Sequence, residues 1–461
     1  MEIQLPEKVD YILNILHEHG YEAYAVGGCV RDALLGREPE DWDITTSAKP
    51  EQVKELFRRT IDTGIQHGTV TVMLDKDGFE VTTYRIDGDY LDGRHPKEVI
   101  FTSSLLEDLR RRDFTINAMA YSKEEGIVDA FDGMGDLERG VIKCVGEAKE
   151  RFEEDALRIL RAVRFGAQLN FNIEEQTRAA IEELAPTLEK ISAERIRVEL
   201  DKLLCSGHPE RLLMAKQLGI TAIVLPEFDR MLATPQHHPH HSYDVGIHSL
   251  KVVEEMRRLA KEKQVERKEL SVLMWAALLH DVGKPECLSV DEEGITHFYN
   301  HPIAGKDLAR KILRRLRFDN YTTDYVCHLI RYHDVVFSKK KGKFRKKINL
   351  IGAEKISYLF LLMRADKLAQ SMYMREEKMA ALEESERMFT EIMEAGECVN
   401  LKMLAVNGGD LIANGFPKGR QMGEILQNLL EIVLEDPEKN TKEHLLELAK
   451  DRYGSILSVK E

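Results

Sequence analysis

Cysteine is sparse in this sequence, and its few cysteines lie far apart. The 461 residues include six, and no two of them form a CxxC pair. They are Cys29, Cys144, Cys205, Cys287, Cys327 and Cys398. This usage predicts neither a disulfide framework nor a cysteine zinc site, and it is typical of a reducing compartment. We therefore expect a cytoplasmic protein.

Long apolar runs and an excess of basic charge are also missing. No stretch approaches the roughly 18 unbroken apolar residues of a membrane span, and residues 1–20 read as an acidic amphipathic helix instead of an export signal. The formal net charge of −14 argues against non-specific coating of nucleic acid, so DNA is not an expected partner. We expect no membrane association, although a local basic surface would still allow RNA binding.

The densest basic segment covers residues 339–347. It reads as a loop in which one phenylalanine interrupts the cations. The basic residues are Lys339, Lys340, Lys341, Lys343, Arg345, Lys346 and Lys347. Such a segment either contacts an RNA backbone or is only a solvated loop, and the sequence leaves both interpretations open.

The hydrophobic periodicity changes along the chain. Between residues 24 and 120, short β-rich runs alternate with helical stretches, which predicts a small head with a mixed sheet. Beyond residue 147, apolar residues recur every three or four positions, as in a helical protein. The predicted fold class is therefore α+β, with a sheet-containing head followed by an all-α remainder. We divide the chain into a head (1–135), a helical neck (136–205), a helical body (206–395) and a helical tail (396–461).

A glycine turn and two aspartates indicate a first chemical site. Gly27 and Gly28 follow a predicted strand and precede a predicted helix, an arrangement that lets backbone amides approach a phosphate. Asp41 and Asp43 flank Trp42, and alternation along a strand points both carboxylates the same way. Such a pair suits one or two Mg²⁺ ions that activate an attacking hydroxyl and neutralise a leaving pyrophosphate. On its own, a DxD pair is more often a helix cap or part of a solvent-facing loop.

Longer motifs decide between these interpretations. The segments GGCVRDALLG and EDWDITTSAKP resemble the start of the class II CCA-adding enzymes and bacterial poly(A) polymerases, within the polymerase-beta nucleotidyltransferase superfamily. The resemblance continues in order through LRRRDFTINAMAY (109–121), DAFDGMGDLERGVIKCVG (129–146), EEDALRILRAVRF (153–165) and SAERIRVELDKLL (192–204). Asp132 departs from the pattern, because a glycine often stands at this position.

This resemblance implies a fold, an activity and partners. It implies a polymerase-beta-type nucleotidyltransferase head that uses Mg²⁺, with Asp41 and Asp43 as catalytic metal ligands. It also implies tRNA as the partner, with CTP and ATP as substrates. The implied nucleotide-binding residues are Gly28, Arg31, Arg112, Asp155, Arg158, Arg161 and Arg164. Glu80 is a candidate third carboxylate, although a glutamate in a half-exposed strand is also ordinary.

Asp155 and Arg158 carry the prediction of base choice. Their spacing places a carboxylate and a guanidinium on one face of a helix. The carboxylate can accept from the exocyclic amine of cytosine or adenine, and the guanidinium can donate to the ring acceptors of either base. UTP and GTP present the wrong groups on those edges. The alternative is an exposed helical ion pair with no role in recognition.

The polar segment 83–96 resembles the loop that such enzymes need when specificity switches from C to A. Relatives restricted to CC addition lack this loop, so its presence favours complete CCA addition or A addition. A long hairpin loop is the alternative interpretation.

A second resemblance lies in the helical body. The order H, HD, D of HD-type metal phosphohydrolases is formed by His248, His280, Asp281 and Asp366. Imidazole nitrogens and carboxylate oxygens together suit a transition metal or Mg²⁺, and an aspartate can bridge to a second ion. His301 and His333 are candidates to complete that second metal site. The module either hydrolyses phosphate esters or serves as an architectural metal site.

The predicted function is template-independent addition of C, C and A to the tRNA 3′ end, with release of pyrophosphate. A second, hydrolytic activity at the HD site is left open beside an architectural role of that site. Two alternatives use the same head motifs, namely an A-adding enzyme and a poly(A) polymerase. Two others belong to different classes: an HD metal phosphohydrolase with an inactive head, and a non-catalytic tRNA-binding protein.

Overall fold

The computed structural model describes residues 2–87, 99–237 and 242–454. The chain folds into two compact units. The first consists of Met1–Asp229 with Arg315–Arg317, and the second consists of Arg230–Arg314 with Phe318–Glu461. Within the described residues, no helix is both long enough and apolar enough to cross a membrane.

The first unit combines one large sheet with helices. The helices that begin in it are α1 (Glu7–Glu18), α2 (Gly28–Leu34), α3 (Pro50–Leu56), α4 (Leu105–Arg110), α5 (Gly133–Arg139), α6 (Ala148–Glu154), α7 (Leu157–Leu169), α8 (Glu175–Leu184), α9 (Ala193–Leu204), α10 (Leu212–Gln217), α11 (Ile220–Val224) and α12 (Pro226–Leu232). Its strands are β1 (Ala23–Val26), β2 (Ile44–Thr46), β3 (Thr60–Gly64), β4 (Thr69–Leu74), β5 (Asp77–Thr83), β6 (Arg85–Asp87), β7 (Val99–Phe101), β8 (Met119–Ser122), β9 (Gly126–Asp129), β10 (Val141–Ile142) and β11 (Asn172–Ile173).

The large sheet of the head has the strand order β3-β4-β5-β2-β1-β8-β9. Among the strands that the structure describes, the only parallel neighbours in this sheet are β2 and β5, with Ile44 paired to Val81. All other neighbours in this sheet are antiparallel. The parallel pair matters for the chemistry, because it places the residues preceding β2 beside the middle of β5.

Helix α1 covers one face of this sheet. Its buried residues Val9, Ile12, Leu13 and Leu16 follow the spacing of a single helical face. They pack against a core that includes strand residues such as Val70. The apolar stripe of α1 therefore explains both why the predicted N-terminal helix forms and where it packs.

In its described residues, the second unit is helical except for one hairpin. Its helices are α13 (Val245–Glu262), α14 (Arg267–Leu279), α15 (His301–Arg315), α16 (Asn320–Tyr332), α17 (Lys341–Ile351), α18 (Ala353–Ala369), α19 (Arg375–Glu394), α20 (Gly408–Ala413), α21 (Arg420–Glu435) and α22 (Lys442–Tyr453). Strands β12 (Leu288–Val290) and β13 (Thr296–Phe298) form the hairpin. Helix α14 is buried on all sides from Val272 to Leu279, so it forms the centre of this unit.

The predicted fold class is confirmed, because a mixed sheet with helices precedes a helical remainder. The hairpin of β12 and β13 was not predicted. The interpretation of residues 339–347 as a loop is wrong, because α17 begins at Lys341. Its buried residues Phe344, Ile348 and Ile351 supply an apolar face that the density of lysines concealed.

Candidate functional site

The glycine turn ends β1 and opens α2. Gly27 has a φ of 83°, and a side-chain carbon there would lie 2.8 Å from Nη1 of Arg112. Glycine is therefore required by both the backbone conformation and the close approach of the guanidinium. At Gly28 an added carbon would meet only Arg31, at 3.7 Å. The first turn of α2 consequently has the buried guanidinium of Arg31 beside it.

Asp41 and Asp43 lie in the extended segment immediately before β2, and Trp42 between them packs against the head core. The strand itself begins at Ile44, three residues after Asp41, so the prediction that both aspartates lie on the strand is wrong. The amide of Val26 donates to the carbonyl of Asp43 at 2.9 Å, which fixes this segment beside the glycine turn. The two carboxylates are thereby held next to the opening of α2.

Glu80 joins this pair from the neighbouring strand. Because Ile44 pairs with Val81, the residue that precedes each of them is brought alongside. Partial removal from water, followed by the charges of Asp43 and Asp41, raises the pKa of Glu80. The pKa of Asp43 is likewise raised by removal from water, with Arg112 lowering it and Asp41 raising it. Mutual repulsion of this kind is what a cation relieves, and an all-oxygen ligand set suits Mg²⁺.

A chain of polar contacts leads from α2 to α7. Nη1 of Arg31 donates to Oδ1 of Asn117 at 2.6 Å, and the Asn117 amide donates to Oδ1 of Asp113 at 3.1 Å. Nε of Arg161 completes the chain at 2.7 Å from the other oxygen of Asp113. Burial alone would raise the pKa of Asp113, but Arg161 and Asn117 hold it well below its usual range. Two of the predicted nucleotide-binding arginines are thus fixed by one ionised carboxylate.

Asp155 and Arg158 do not share a helical face, so this part of the prediction is wrong. The chain is extended at Asp155, where α6 ends, and α7 begins at Leu157. Arg195 instead binds Asp155 through both guanidinium nitrogens, at 3.1 and 2.6 Å. Arg158 donates to Glu154 at 2.5 Å and to two backbone carbonyls. The two residues are held separately, and their role in base choice stays a prediction.

Arg164 is held by a carboxylate of another helix. Its side chain is buried, with Nε 2.6 Å from Glu199 on α9 and the guanidinium 3.6 Å from the ring centre of Phe165, a ring that Arg31 and Arg161 also approach. The Glu199 contact joins α7 to α9, and the ring contact lies within α7. They are sufficient to explain an arginine here by packing, and nucleotide binding by Arg164 stays a prediction.

In the second unit, Asp281 stands between two groups of histidines. Its Oδ2 lies 3.1 Å from Nε2 of His280 and 3.8 Å from Nε2 of His248. Its Oδ1 lies 3.4 Å from Nε2 of His301 and 3.6 Å from Nε2 of His333. Each oxygen of the carboxylate therefore faces one histidine pair, as expected of a ligand that bridges two ions.

Asp366 belongs to the first of these pairs, with Oδ1 at 3.0 Å from His248 and 3.8 Å from His280. The structure thus brings all six predicted residues of the HD site together from five helices: His248 on α13, His280 and Asp281 after α14, His301 on α15, His333 after α16 and Asp366 on α18. Among the residues that the structure describes, two sets of three potential ligands have ligand atoms within 4.8 Å of one another, namely His248 with His280 and Asp281, and Asp281 with His301 and His333.

The hydrogen bonds of the histidines fit metal binding. Nδ1 of His280, His301 and His333 each lies 2.8 Å from a backbone carbonyl, which can only accept. Each Nδ1 therefore carries the proton, and each Nε2 lone pair faces the cluster. Nε2 of His280 is buried without a hydrogen bond, and those of His301 and His333 face each other at 3.3 Å. Buried lone pairs in this arrangement fit a divalent cation.

Comparison with known proteins identifies the family of this chain. Family models match the Poly A polymerase head domain at residues 23–143, the probable RNA and SrmB-binding site of polymerase A at 170–232, and the HD domain at 245–371. The crystal structure of Bacillus stearothermophilus CCA-adding enzyme in complex with CTP is 30% identical to this chain, with a TM-score of 0.70. The alignment covers 98% of this chain and 99% of that chain. The chain belongs to the family of CCA-adding enzymes and poly(A) polymerases.

Other members of the CCA-adding family match a shorter part of the chain. The CCA-adding enzyme of Lactiplantibacillus plantarum is 54% identical over 198 residues, which are 43% of this chain and 49% of that protein. The CCA-adding enzyme of Lactobacillus delbrueckii subsp. bulgaricus is 58% identical over 192 residues, 42% of this chain and 48% of that protein. This chain spans about half the length of the curated relatives that it matches.

Several residues of this family member were not predicted from the sequence. Arg195 lies in a motif that was recognised, but no spacing links it to Asp155, 40 positions away. Lys284 donates to Oδ2 of Asp281 at 2.7 Å and to Gln236 at 2.8 Å. Lys284 could have been predicted from the sequence, because a lysine three positions after Asp281 lies on the same side of a helical turn. Gln370 donates to Asp366 at 2.9 Å from one helical turn away.

One prediction falls partly outside the described residues. Of the segment 83–96, which was predicted as a loop for the switch from C to A, positions 88–96 are not among them.

Many cations of the basic segment in this family member are already paired. Arg345 is buried and donates to two carbonyls at the end of α21 and to Glu397. Lys346 binds Glu435 at 2.6 Å, and Lys339 binds Glu384 at 2.9 Å. Contact of this segment with tRNA stays a prediction.

Proposed function

We propose that this chain adds C, C and A to the 3′ end of tRNA from CTP and ATP, with release of pyrophosphate. The observation that carries the proposal is the cluster of Asp41, Asp43 and Glu80 beside the first turn of α2. The likeness to a CCA-adding enzyme that was solved with CTP supports it over almost the whole chain. Cytoplasmic localisation, and the absence of DNA and membrane partners, belong to the same proposal.

In this proposal, the carboxylates of the head bind metal and its cationic and amide groups bind phosphate. Asp41 and Asp43, with Glu80 beside them, would hold Mg²⁺, which supplies charge neutralisation for attack of the tRNA 3′-hydroxyl on the α-phosphate and for departure of pyrophosphate. The amides in the first turn of α2 are donors that would suit the oxygens of a triphosphate. Arg112 is 2.8 Å from the position of a side chain at Gly27, so its charge is available to the same phosphates.

Base selection falls to the neck in this proposal. The carboxylate of Asp155 is an acceptor that suits an exocyclic amine, and the guanidinium of Arg158 is a donor. Both are partly occupied by protein partners in the structure, Asp155 by Arg195 and Arg158 by Glu154. An incoming base would therefore exchange for these contacts or add to them. An A-adding enzyme or a poly(A) polymerase would use the same residues for base selection. The experiment must therefore distinguish CCA addition from these two alternatives.

The test is nucleotide incorporation into three tRNAs that end at the discriminator base, at C and at CC. Each NTP is supplied separately with Mg²⁺, and Asp41→Ala is the blank. We expect CTP and then ATP to be used, with synthesis stopping after the third nucleotide. ATP use on the CC-ended tRNA alone would show an A-adding enzyme, and long A tails would show a poly(A) polymerase. No incorporation would overturn the proposal and leave the HD site as the working site.

We propose hydrolysis of phosphate esters as a second activity, carried by the two-sided contacts of Asp281 with the histidine pairs. The residues that would hold divalent ions are His248, His280, Asp281, Asp366, His301 and His333. Such ions supply a nucleophile from water at neutral pH. Burial lowers the pKa of His301, which favours the neutral imidazole that a metal requires.

The test of this second activity combines metal content with turnover. We expect the purified protein to retain a divalent metal and to release phosphate from small phosphate esters. His280→Ala is expected to lose both properties while CMP incorporation continues. A protein that retains metal but hydrolyses no ester would leave the cluster with an architectural role only, and a protein that retains no metal would overturn the metal site itself.

A further inference from the structure

Asp108 on α4 is a fully buried carboxylate of the head. Its Oδ1 accepts from Nε and Nη2 of Arg111 at 3.0 and 2.7 Å, and from the backbone amide of Arg85 at 3.4 Å. Its Oδ2 accepts from the hydroxyl of Thr45 at 3.1 Å and from Nη2 of Arg112 at 3.4 Å. Burial alone would raise the pKa of Asp108, but Arg111 and Arg112 hold it below its usual value. Asp108 is therefore ionised, and both of its oxygens have donors.

The two arginines are held unequally by this one carboxylate. Arg111 contacts Asp108 through two nitrogens, whereas Arg112 contacts it through Nη2 alone and at a longer distance. Nε of Arg112 is buried without a hydrogen bond, and its Nη1 lies 2.8 Å from the position of a side-chain carbon at Gly27. One negative charge serves two guanidinium groups, so a net positive charge remains on the side of Arg112 that faces the glycine turn.

Arg112 lies near the metal-binding carboxylates without pairing with them. Removal from water raises the pKa of Asp43, and the charge of Arg112 lowers it. Among the described residues, however, Asp108 is the carboxylate within salt-bridge distance of Arg112, and neither Asp41 nor Asp43 is. A guanidinium that moved onto Asp43 would occupy oxygens that Mg²⁺ requires. The position of Arg112 therefore affects both phosphate binding and metal binding.

Asp108 is also tied to the segment that carries these carboxylates. Thr45, whose hydroxyl donates to Asp108, stands two residues after Asp43 in the chain and is fully buried. One carboxylate thus contacts both the cation and the strand that follows the metal ligands. Its contacts fix the distance between Arg112 and Asp43.

We propose that Asp108 is a positioning residue of the transferase site, which holds Arg112 at the glycine turn for a phosphate of the incoming nucleotide and keeps it off Asp41 and Asp43. This inference rests on the nucleotidyl transfer proposed above for the head. It adds that an internal cation is prevented from competing with Mg²⁺ by a buried residue, which itself touches neither substrate nor metal.

The experiment measures Mg²⁺ binding to the full-length protein through the fluorescence of Trp42. A CTP analogue with a methylene group between the α- and β-phosphorus is present, and tRNA is omitted, so no transfer takes place. Trp42 stands between the two aspartates, and the other tryptophan of the chain, Trp275, is buried in the second unit. The same titration of Asp41→Ala supplies the blank, because it retains Trp275 and the HD site.

Asp108→Asn is expected to raise the Mg²⁺ concentration at half response by about tenfold, because a guanidinium next to a carboxylate stabilises its anionic form by at least this factor. Adding Arg112→Gln to this variant should return the value to within about twofold of the wild type, although CMP incorporation stays low. This reversal separates positioning from a structural defect, since removal of a second side chain does not repair a damaged fold.

Asp136→Asn is the matched control. Asp136 is likewise a buried carboxylate of the first unit that accepts from a threonine and an arginine, with Thr115 at 2.6 Å and Arg139 at 2.7 Å. Its loss should lower the melting temperature, as the loss of Asp108 does, but leave the Mg²⁺ response within about twofold of the wild type.

Thr45→Val provides a milder variant if Asp108→Asn does not fold. It keeps the shape of the side chain and the charge of Asp108, but it removes one of the donors that hold the carboxylate. We expect a rise of about two- to threefold in the Mg²⁺ concentration at half response, which Arg112→Gln again abolishes.

Two results would overturn the inference and leave the transferase proposal intact, provided that the wild type incorporates CMP. One is an unchanged Mg²⁺ response in folded Asp108→Asn or Thr45→Val. The other is a rise that persists after Arg112 has been replaced, because Asp108 would then act through another group. A wild-type protein with neither an Mg²⁺ response at Trp42 nor CMP incorporation would overturn the transferase proposal, and the inference with it.

Discussion

The head and the HD cluster differ in the arrangement of the residues that would bind a divalent metal. The head presents carboxylates at the protein surface whose pKa values are raised, first by partial removal from water and in addition by the charges of neighbouring carboxylates, as at Glu80. The HD cluster is buried, and its histidines and aspartates contact each other at 3.0–3.8 Å. Each histidine whose Nδ1 binds a carbonyl has only one orientation available for its Nε2.

This difference indicates different relations between metal and substrate. A repelling set of oxygens is completed when a metal arrives with a triphosphate, so binding of metal and nucleotide should be coupled in the head. A cluster whose ligands already hold one another should bind metal without substrate. The following predictions test this contrast, beginning with the largest expected effect.

Asp43→Asn should reduce CMP incorporation by about 10³-fold or more, because one of the oxygens that neutralise developing charge is lost. Hydrolysis at the HD site should stay within twofold of the wild type. Single-turnover incorporation measures the first effect. The control is Asp62→Asn, which removes the exposed salt bridge between Asp62 and Lys54 and should change neither rate. Retention of transfer within tenfold would contradict the assignment of Asp43.

Asp281→Asn should lower metal affinity by about 10- to 100-fold, because the bridging carboxylate becomes a neutral amide. Metal content measured by mass spectrometry after dialysis, without any nucleotide, reports this loss. The control Asp324→Asn breaks only an exposed pair with Arg310. If metal were retained at wild-type stoichiometry, Asp281 would not be the shared ligand.

Arg195→Ala should weaken discrimination of CTP against UTP by about tenfold, since Asp155 loses the guanidinium that fixes both its oxygens. The ratio of kcat/KM for the two nucleotides is the measurement. Arg178→Ala removes a similar but exposed pair with Glu182 and should leave the ratio unchanged. An unaltered ratio in Arg195→Ala would mean that Asp155 is positioned by the backbone alone.

Asp43→Asn should also raise the melting temperature of the metal-free protein, by roughly 1–2 °C at pH 7. The pKa of Asp43 is raised on folding, so its ionised form destabilises the folded state above that pKa, and the penalty disappears as the pH falls through it. The effect is small because the side chain is exposed. Calorimetry at pH 7 and at pH 4.5 should show the difference between variant and wild type shrinking at the lower pH.

Much of the organisation was predictable because it depends on local pattern. The spacing of Val9, Ile12, Leu13 and Leu16 predicts α1, and the order of the HD motif predicts the residues that come together around Asp281. Contacts between distant segments were not predictable in this way. Arg195 meets Asp155 only because α9 packs on α7, and Glu80 meets Asp43 only through the parallel pairing of β2 and β5.

The failures have local physical causes. The sequence around Asp155 reads as continuous helix, but its carboxylate accepts the amide of Leu157 and thereby starts a new helix. The basic segment 339–347 reads as a loop because its lysines dominate the composition. Its apolar residues occur at helical spacing, and they decide the structure once a core is available.

The contacts of Arg345 change how a charge-reversal scan of the basic segment should be interpreted. Its guanidinium donates hydrogen bonds to the carbonyls of Leu434 and Glu435, for which the last turn of α21 has no backbone donor. Loss of tRNA affinity after replacement of Arg345 would therefore report a displaced tail helix, and not a missing phosphate contact. Lys340, Lys343 and Lys347 are the positions at which such a scan measures RNA binding directly.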